Sequence, residues 1–176
     1  MNKLSASRIG RLALALVFPL AAVATVRAAH QPGSQKLTVN YPNWKNYTDI
    51  RDSYSPTDSG EMDILSHLKS HLERDAMYAV PDGDHLTITF SDIRIAGDYE
   101  PQRGGNWDSV RFMKSIWAPH FNFTWELADS TGHVVKQGSE HLQDLDYKDD
   151  ILVTDHSDHL GYEDQMLRNW MEEKVH

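Results

Sequence analysis

The chain has 176 residues, no cysteine and a formal net charge of −9 at pH 7. The lack of cysteine excludes a disulfide-stapled fold, and the acidic balance argues against nucleic acid and anionic membrane surfaces, which need a basic face. Four of the 17 basic residues (Lys3, Arg8, Arg11, Arg27) lie in the first 28 positions and all 26 acidic ones lie beyond them, so residues 29–176 carry 13 basic against 26 acidic side chains, a net −13.

The first 28 residues have the pattern of a secretory signal peptide. Lys3, Arg8 and Arg11 form a positive start, and Leu12 to Val26 is apolar with Pro19 inside it. Val26-Arg27-Ala28 offers a cleavage site, and Ala22-Val23-Ala24 an earlier one. The apolar run is shorter than the ~20 residues that span a bilayer. The expectation is a periplasmic or secreted protein with no integral membrane span after cleavage. Residues 29–176 suffice for one domain with a single core, and the chain contains no repeat or linker that would divide it.

Lys36 to Tyr41 reads as a first strand ended by Pro42. Asn43 to Pro56 is polar and aromatic, and is expected to lie as an ordered loop over the sheet edge. A helix is predicted from Asp58 to Ala79, with Asp58 as N-cap and Glu61 at capping-box spacing. Leu65, Leu68, Leu72, Ala76 and Ala79 form its apolar stripe. After the turn Pro81-Asp82-Gly83-Asp84, Leu86, Ile88 and Phe90 alternate as a strand. Ile93 and Ile95 take the other parity, so a bulge is expected near Ser91-Asp92. Val110 to Trp117 is predicted as a short strand. Phe121 to Leu127 and His133 to Leu142 form a hairpin across Asp129-Ser130-Thr131-Gly132, with Leu145-Asp146-Tyr147 as an extension. A last helix, Tyr162 to Lys174, turns Tyr162, Met166, Trp170, Leu167 and Met171 inward. This order of elements predicts an α+β fold: one two-layer domain, a mainly antiparallel sheet of about four to five strands with two helices packed on it.

Several constellations could carry chemistry. His67 and His71 are four apart on the first helix, a spacing that can chelate a metal. No glutamate follows His67, so a zinc-protease helix is excluded, and the helical wheel puts both histidines toward solvent or its margin. Asp155, His156, Asp158 and His159 form a second cluster of ligand-type side chains, but their spacing matches no established zinc or calcium pattern. Asp144 to Asp150 is acidic, yet lacks the glycine and distal glutamate of a calcium loop. Neither a Gly-x-Ser-x-Gly elbow nor a cysteine nucleophile is present, and Gly104-Gly105 does not lead a strand into a helix as a phosphate loop does.

The connection from Gly97 to Arg111 is the richest stretch. It mixes Asp98, Glu100, Asp108, Arg103 and Arg111 with three glycines and two aromatic residues, at the end of a strand where binding loops concentrate. Asp49 and Arg51 are expected to join it. Pairs such as Arg103 with Asp98 or Glu100 would order the loop; the same side chains would serve a ligand or partner.

Tyr47-Thr48-Asp49-Ile50-Arg51, Ile95-Ala96-Gly97-Asp98-Tyr99-Glu100-Pro101, Arg103-Gly104, Asp108-Ser109-Val110-Arg111 and Pro119, with Gly132, Gly138 and Leu142-Gln143-Asp144, together resemble an uncharacterised family of exported bacterial proteins, a domain of unknown function found mostly in proteobacteria. The resemblance covers almost all of residues 29–176. It implies export, and brings no activity, cofactor or site residue.

The leading expectation is a non-enzymatic binding or envelope-accessory module that meets an envelope protein or small ligand through Asp49, Arg51, Asp98, Glu100, Arg103, Asp108 and Arg111, with no cofactor. The alternative is a metal-binding protein or metal-dependent hydrolase that holds a divalent metal on His156, His159, Asp155 and Asp158. A third reading is a structural protein that self-associates through its sheet edge.

Overall fold

The structure, a computed structural model, describes residues 36–103, 107, 109–149 and 158–176. The predicted signal peptide lies outside the described residues. The elements run β1 (Leu37–Asn40), α1 (Asp58–Ala79), β2 (His85–Arg94), β3 (Asp98–Tyr99), β4 (Arg111–Phe112), β5 (His120–Ala128), β6 (Val134–Gln143) and α2 (Gly161–Lys174), with short 3-10 turns between them.

The main sheet has the order β1-β2-β5-β6, and β3 and β4 make a separate two-stranded ladder. β1 runs parallel to β2, with α1 as the crossover, and the other two pairings are antiparallel. This is the α+β arrangement expected. One face of the sheet carries Leu86, Ile88, Phe90, Phe121, Phe123, Trp125 and Leu127, all buried under the helices. The opposite face carries Thr87, Thr89, Asn122, Thr124 and Glu126, the polar half of the alternation. The predicted bulge is present: Phe90 pairs with Phe123 and Asp92 with Asn122, so Ser91 is the extra residue. It returns Ile93 to the core face opposite Phe121. Phe90 lies 5.3 Å from Phe123 between ring centroids, and α2 presses Trp170 edge-on to Phe123 at 4.7 Å.

Three boundaries and one buried face differ from expectation. The α1 N-cap is Thr57, whose Oγ1 accepts from the Gly60 N–H at 3.1 Å. Two adjacent residues had capping chemistry; with Thr57 in that place, Asp58 enters the first turn, where a carboxylate suits the helix dipole. Val110 to Trp117 is not a continuous strand: it holds the two-residue β4 and a 3-10 turn at Ser115–Trp117. Apolar side chains occupy both parities there, so no single face can be buried, and Ile116 is exposed. Leu145-Asp146-Tyr147 does not extend the hairpin. The Asp144 carboxylate accepts from the Asp146 N–H at 3.0 Å and turns the chain. Tyr147 then drops into a small second core with Ala96 and Ala118. In α2, Tyr162 and Met166 lie only half-buried, while Glu163 is fully buried beside Leu167, Trp170 and Met171.

Asn43 to Pro56 lies along the sheet as expected. Asp49 bridges to Arg94 in parallel, through Asp49 N–H to Ile93 O and Ile95 N–H to Asp49 O, both 3.0 Å. The loop therefore continues along the edge of β2 that β1 covers further back, and delivers Asp49 and Arg51 to the strand ends.

Candidate functional site

The strand-end cluster is built around Asp49, which is 4 % exposed. Arg51 grips it with two parallel bonds, Nε to Oδ1 at 3.0 Å and Nη2 to Oδ2 at 3.1 Å. Arg111 adds a third, Nη2 to Oδ2 at 2.7 Å. Arg51 also donates to Asp98 Oδ1 at 2.5 Å, and Asp98 Oδ2 lies 3.5 Å from Arg94 Nη2. Burial pushes the Asp49 carboxyl up, and the hydrogen bonds from Arg51 and the charge of Arg111 more than reverse it, so it stays below its ordinary value.

Arg111 does more than pair. Its guanidinium donates to the carbonyls of Ala96 (2.6 Å), Gly97 (3.0 Å), Ile95 (3.1 Å) and Arg51 (3.2 Å). Five hydrogen bonds converge on one side chain, and a planar five-donor fork is what such a ring of acceptors requires. Gly97 permits the turn around it: its φ is +75°, and a Cβ there would lie 2.7 Å from the Phe112 carbonyl oxygen. Tyr99 lies under both guanidinium groups, 5.1 Å from Arg111 and 5.6 Å from Arg51 to the ring centroid.

Of the seven residues expected to form this site, the structure brings Asp49, Arg51, Asp98 and Arg111 into one network. Glu100 is buried and pairs instead with Lys114. Arg103 closes a 3-10 turn at Pro101–Arg103; its side chain, like Asp108, lies outside the description. The network is the loop-ordering arrangement, because its charges and donors are directed at one another and at backbone.

Beside it lies a cleft of about 550 Å3, lined by Arg51, Tyr99, Ser109, Val110, Arg111, Met113, Ile64, His159 and Tyr162 among others. It lies between the strand-end loops, α1 and the start of α2. Tyr162 is held edge-on to Tyr147 at 4.9 Å. Ser109, Met113 and His159 are exposed. A second cavity of about 580 Å3 separates α1 and α2. Part of its polar lining, Arg74, Asp75 and Arg168, belongs to the ion network that joins the helices, with Glu172 and His176 beside it.

Of the expected metal ligands, Asp155 and His156 lie outside the described residues. Asp158 is engaged already: His71 Nε2 lies 3.1 Å away, and its Oδ1 accepts from the Leu160 N–H at 2.9 Å. His67 is exposed, and His71 lies at the helix margin, where it also meets Asp164 at 3.6 Å. Among the described residues, no group of three or more His, Asp or Glu side chains is placed to hold a metal ion. Nor, among them, is any helix long and apolar enough to cross a membrane.

One residue next to the cleft escaped the sequence reading. Glu163, in the first turn of α2, is 0 % exposed. Its Oε1 accepts from the Ala96 N–H, and Oε2 is buried without a hydrogen-bond partner. Burial raises its pKa to about 7, against the hydrogen bond from Ala96 and the charge of Arg111. Its position four residues before Leu167 and seven before Trp170 already put it on the apolar face of the helix.

The fold is thus a small α+β domain, and its strand-end loops are tied by ions around a cleft. Residues 35–173 match the model of a family described as Protein of unknown function (DUF3016), and the chain belongs to that family. No curated protein and no solved structure matches the chain.

Proposed function

We propose that this is an exported, non-enzymatic binding module of the bacterial envelope, and that its occupant sits in the cleft between the strand-end loops and the start of α2. One observation carries the reading: the cleft is walled by side chains immobilised before any ligand arrives. Arg111 and Arg51 are held by Asp49, Asp98 and backbone carbonyls, while Ser109, Met113 and His159 remain accessible at the rim. A rigid frame with an adaptable, mixed apolar and polar lining is how small-molecule and peptide sites are commonly built. The arginines act as the frame, and the rim makes the contact.

The test isolates the protein from the periplasmic fraction of its own cells and weighs it by native mass spectrometry. Wild type should carry an added mass that is released on denaturation. Ser109→Trp and His159→Trp fill the cleft without touching the ion network, and should lose that mass while keeping the wild-type melting temperature. Bare wild-type protein, or an adduct retained by both variants, would reject the cleft as the site.

A further inference from the structure

β6 closes one side of the main sheet, and among the described residues no other strand pairs with its outer edge. It is ten residues long, contains no proline and is exposed along most of its length. An edge of that kind is a template for another strand unless something blocks it.

The faces of the sheet limit how two copies can meet. When one sheet continues into another about a two-fold axis normal to it, opposed side chains share a face, so the opposed residues must have the same parity. The β5–β6 register puts Lys136, Gly138, Glu140 and Leu142 on the helix-side face, and Gln137, Ser139 and His141 on the open face. Centred on Glu140, the pairing would set two carboxylates against each other. Centred on Ser139, it would set Lys136 against leucine and Glu140 against glycine. Centred on Gly138, it sets Lys136 against the partner's Glu140, Glu140 against the partner's Lys136, and Gln137 against the partner's Ser139. Opposite charges directly across a ladder stabilise it and like charges weaken it. Glycine at the centre has its own local reason, since a Cβ there would lie 2.8 Å from Trp125 Nε1.

We propose that β6 pairs antiparallel with β6 of a second copy about a two-fold axis at Gly138, joining two four-stranded sheets into one of eight strands. Lys136 to Glu140 is the regular centre of the contact; the register shift at Leu127/Ala128 marks where the regular pairing ends. The proposal is independent of the cleft, which lies at the strand-end loops.

Charge reversal tests it directly. Lys136 and Glu140 are about 13 Å apart along one strand, too far to neutralise each other within a chain. In sedimentation equilibrium the wild-type protein should show a monomer–dimer equilibrium. Lys136→Glu and Glu140→Lys should each weaken the dimer by roughly ten-fold or more, and the double swap should restore it. Because Lys136 also approaches the last carbonyls of α2 and Glu140 accepts from Trp125, a measurement on wild type guards against misfolded variants. Hydrogen exchange in β6 should slow as protein concentration rises, while β1, the other edge, stays unchanged. A monomer at every concentration, a dimer indifferent to the single reversals, or β6 exchange independent of concentration would overturn the proposal.

Discussion

Asp49 and Glu163 are both buried carboxylates near the same strand ends, and they are treated in opposite ways. Asp49 has two arginines within hydrogen-bond reach and stays ionised. Glu163 has only backbone donors, the Ala96 N–H on Oε1 and its own N–H, and no hydrogen-bond partner on Oε2. The charge of Arg111 reaches it but does not outweigh burial. The same low-dielectric surroundings therefore fasten one region together and leave a proton-dependent weak point in the other. What decides is the count of donors facing each carboxylate, since burial is common to both.

The largest effect expected from breaking this contrast is on the paired side. Asp49→Ala leaves Arg51 and the well-buried Arg111 without their shared counter-charge. Breaking a buried pair on one side costs about 3–5 kcal/mol, and urea unfolding at pH 7 should show a loss of that order.

Glu163→Gln sharpens the contrast from the other side. The pKa of Glu163 is raised by folding from the ordinary carboxyl value to about 7. The neutral form is favoured in the folded state, so its contribution is complete below the unfolded pKa and is lost as pH rises through the folded one. Wild type should thus lose stability between about pH 4.5 and 7 relative to the glutamine variant. The variant should be more stable by about 2–3 kcal/mol at pH 8, with the gain vanishing near pH 4. Equal pH profiles for the two proteins would show that Glu163 does not titrate in the folded state.

The smallest effect is a control for exposure. Arg74 reaches Asp164 at 2.6 Å with 47 % of its side chain exposed. Arg74→Ala should cost under about 1 kcal/mol, because water already screens the pair. A loss as large as that of Asp49→Ala would mean that the seam between the helices, not the strand ends, holds the domain together.

Much of the fold was legible because its signals are local. The parity change from Phe90 to Ile93 located the bulge, Pro81-Asp82-Gly83 located the end of α1, and Asp129 to Gly132 located the hairpin. Two of the differences share a cause in competing local signals. Thr57 and Asp58 could both cap a helix, and Val110 to Trp117 offers apolar residues on either face. At the site, Asp49, Arg51, Asp98 and Arg111 were identifiable as a group by residue type. Their pairing was not, because Asp49 and Arg111 are 62 positions apart and no spacing rule connects them. The embrace of the Ile95, Ala96 and Gly97 carbonyls by Arg111 depends on backbone shape alone. Glu163 is legible by spacing, but the charge of a glutamate speaks for the solvent face.

The strand-end arginines and carboxylates hold one another and so frame the cleft. A double-mutant cycle on Asp49→Asn and Arg111→Met, read by urea unfolding, measures that mutual hold. Strong coupling is expected, with the double variant costing little more than the worse of the two single changes and a coupling free energy of about 2 kcal/mol or more. Losses that simply add, within about 0.5 kcal/mol, would mean that the two side chains act separately and that the frame is not built from their pairing.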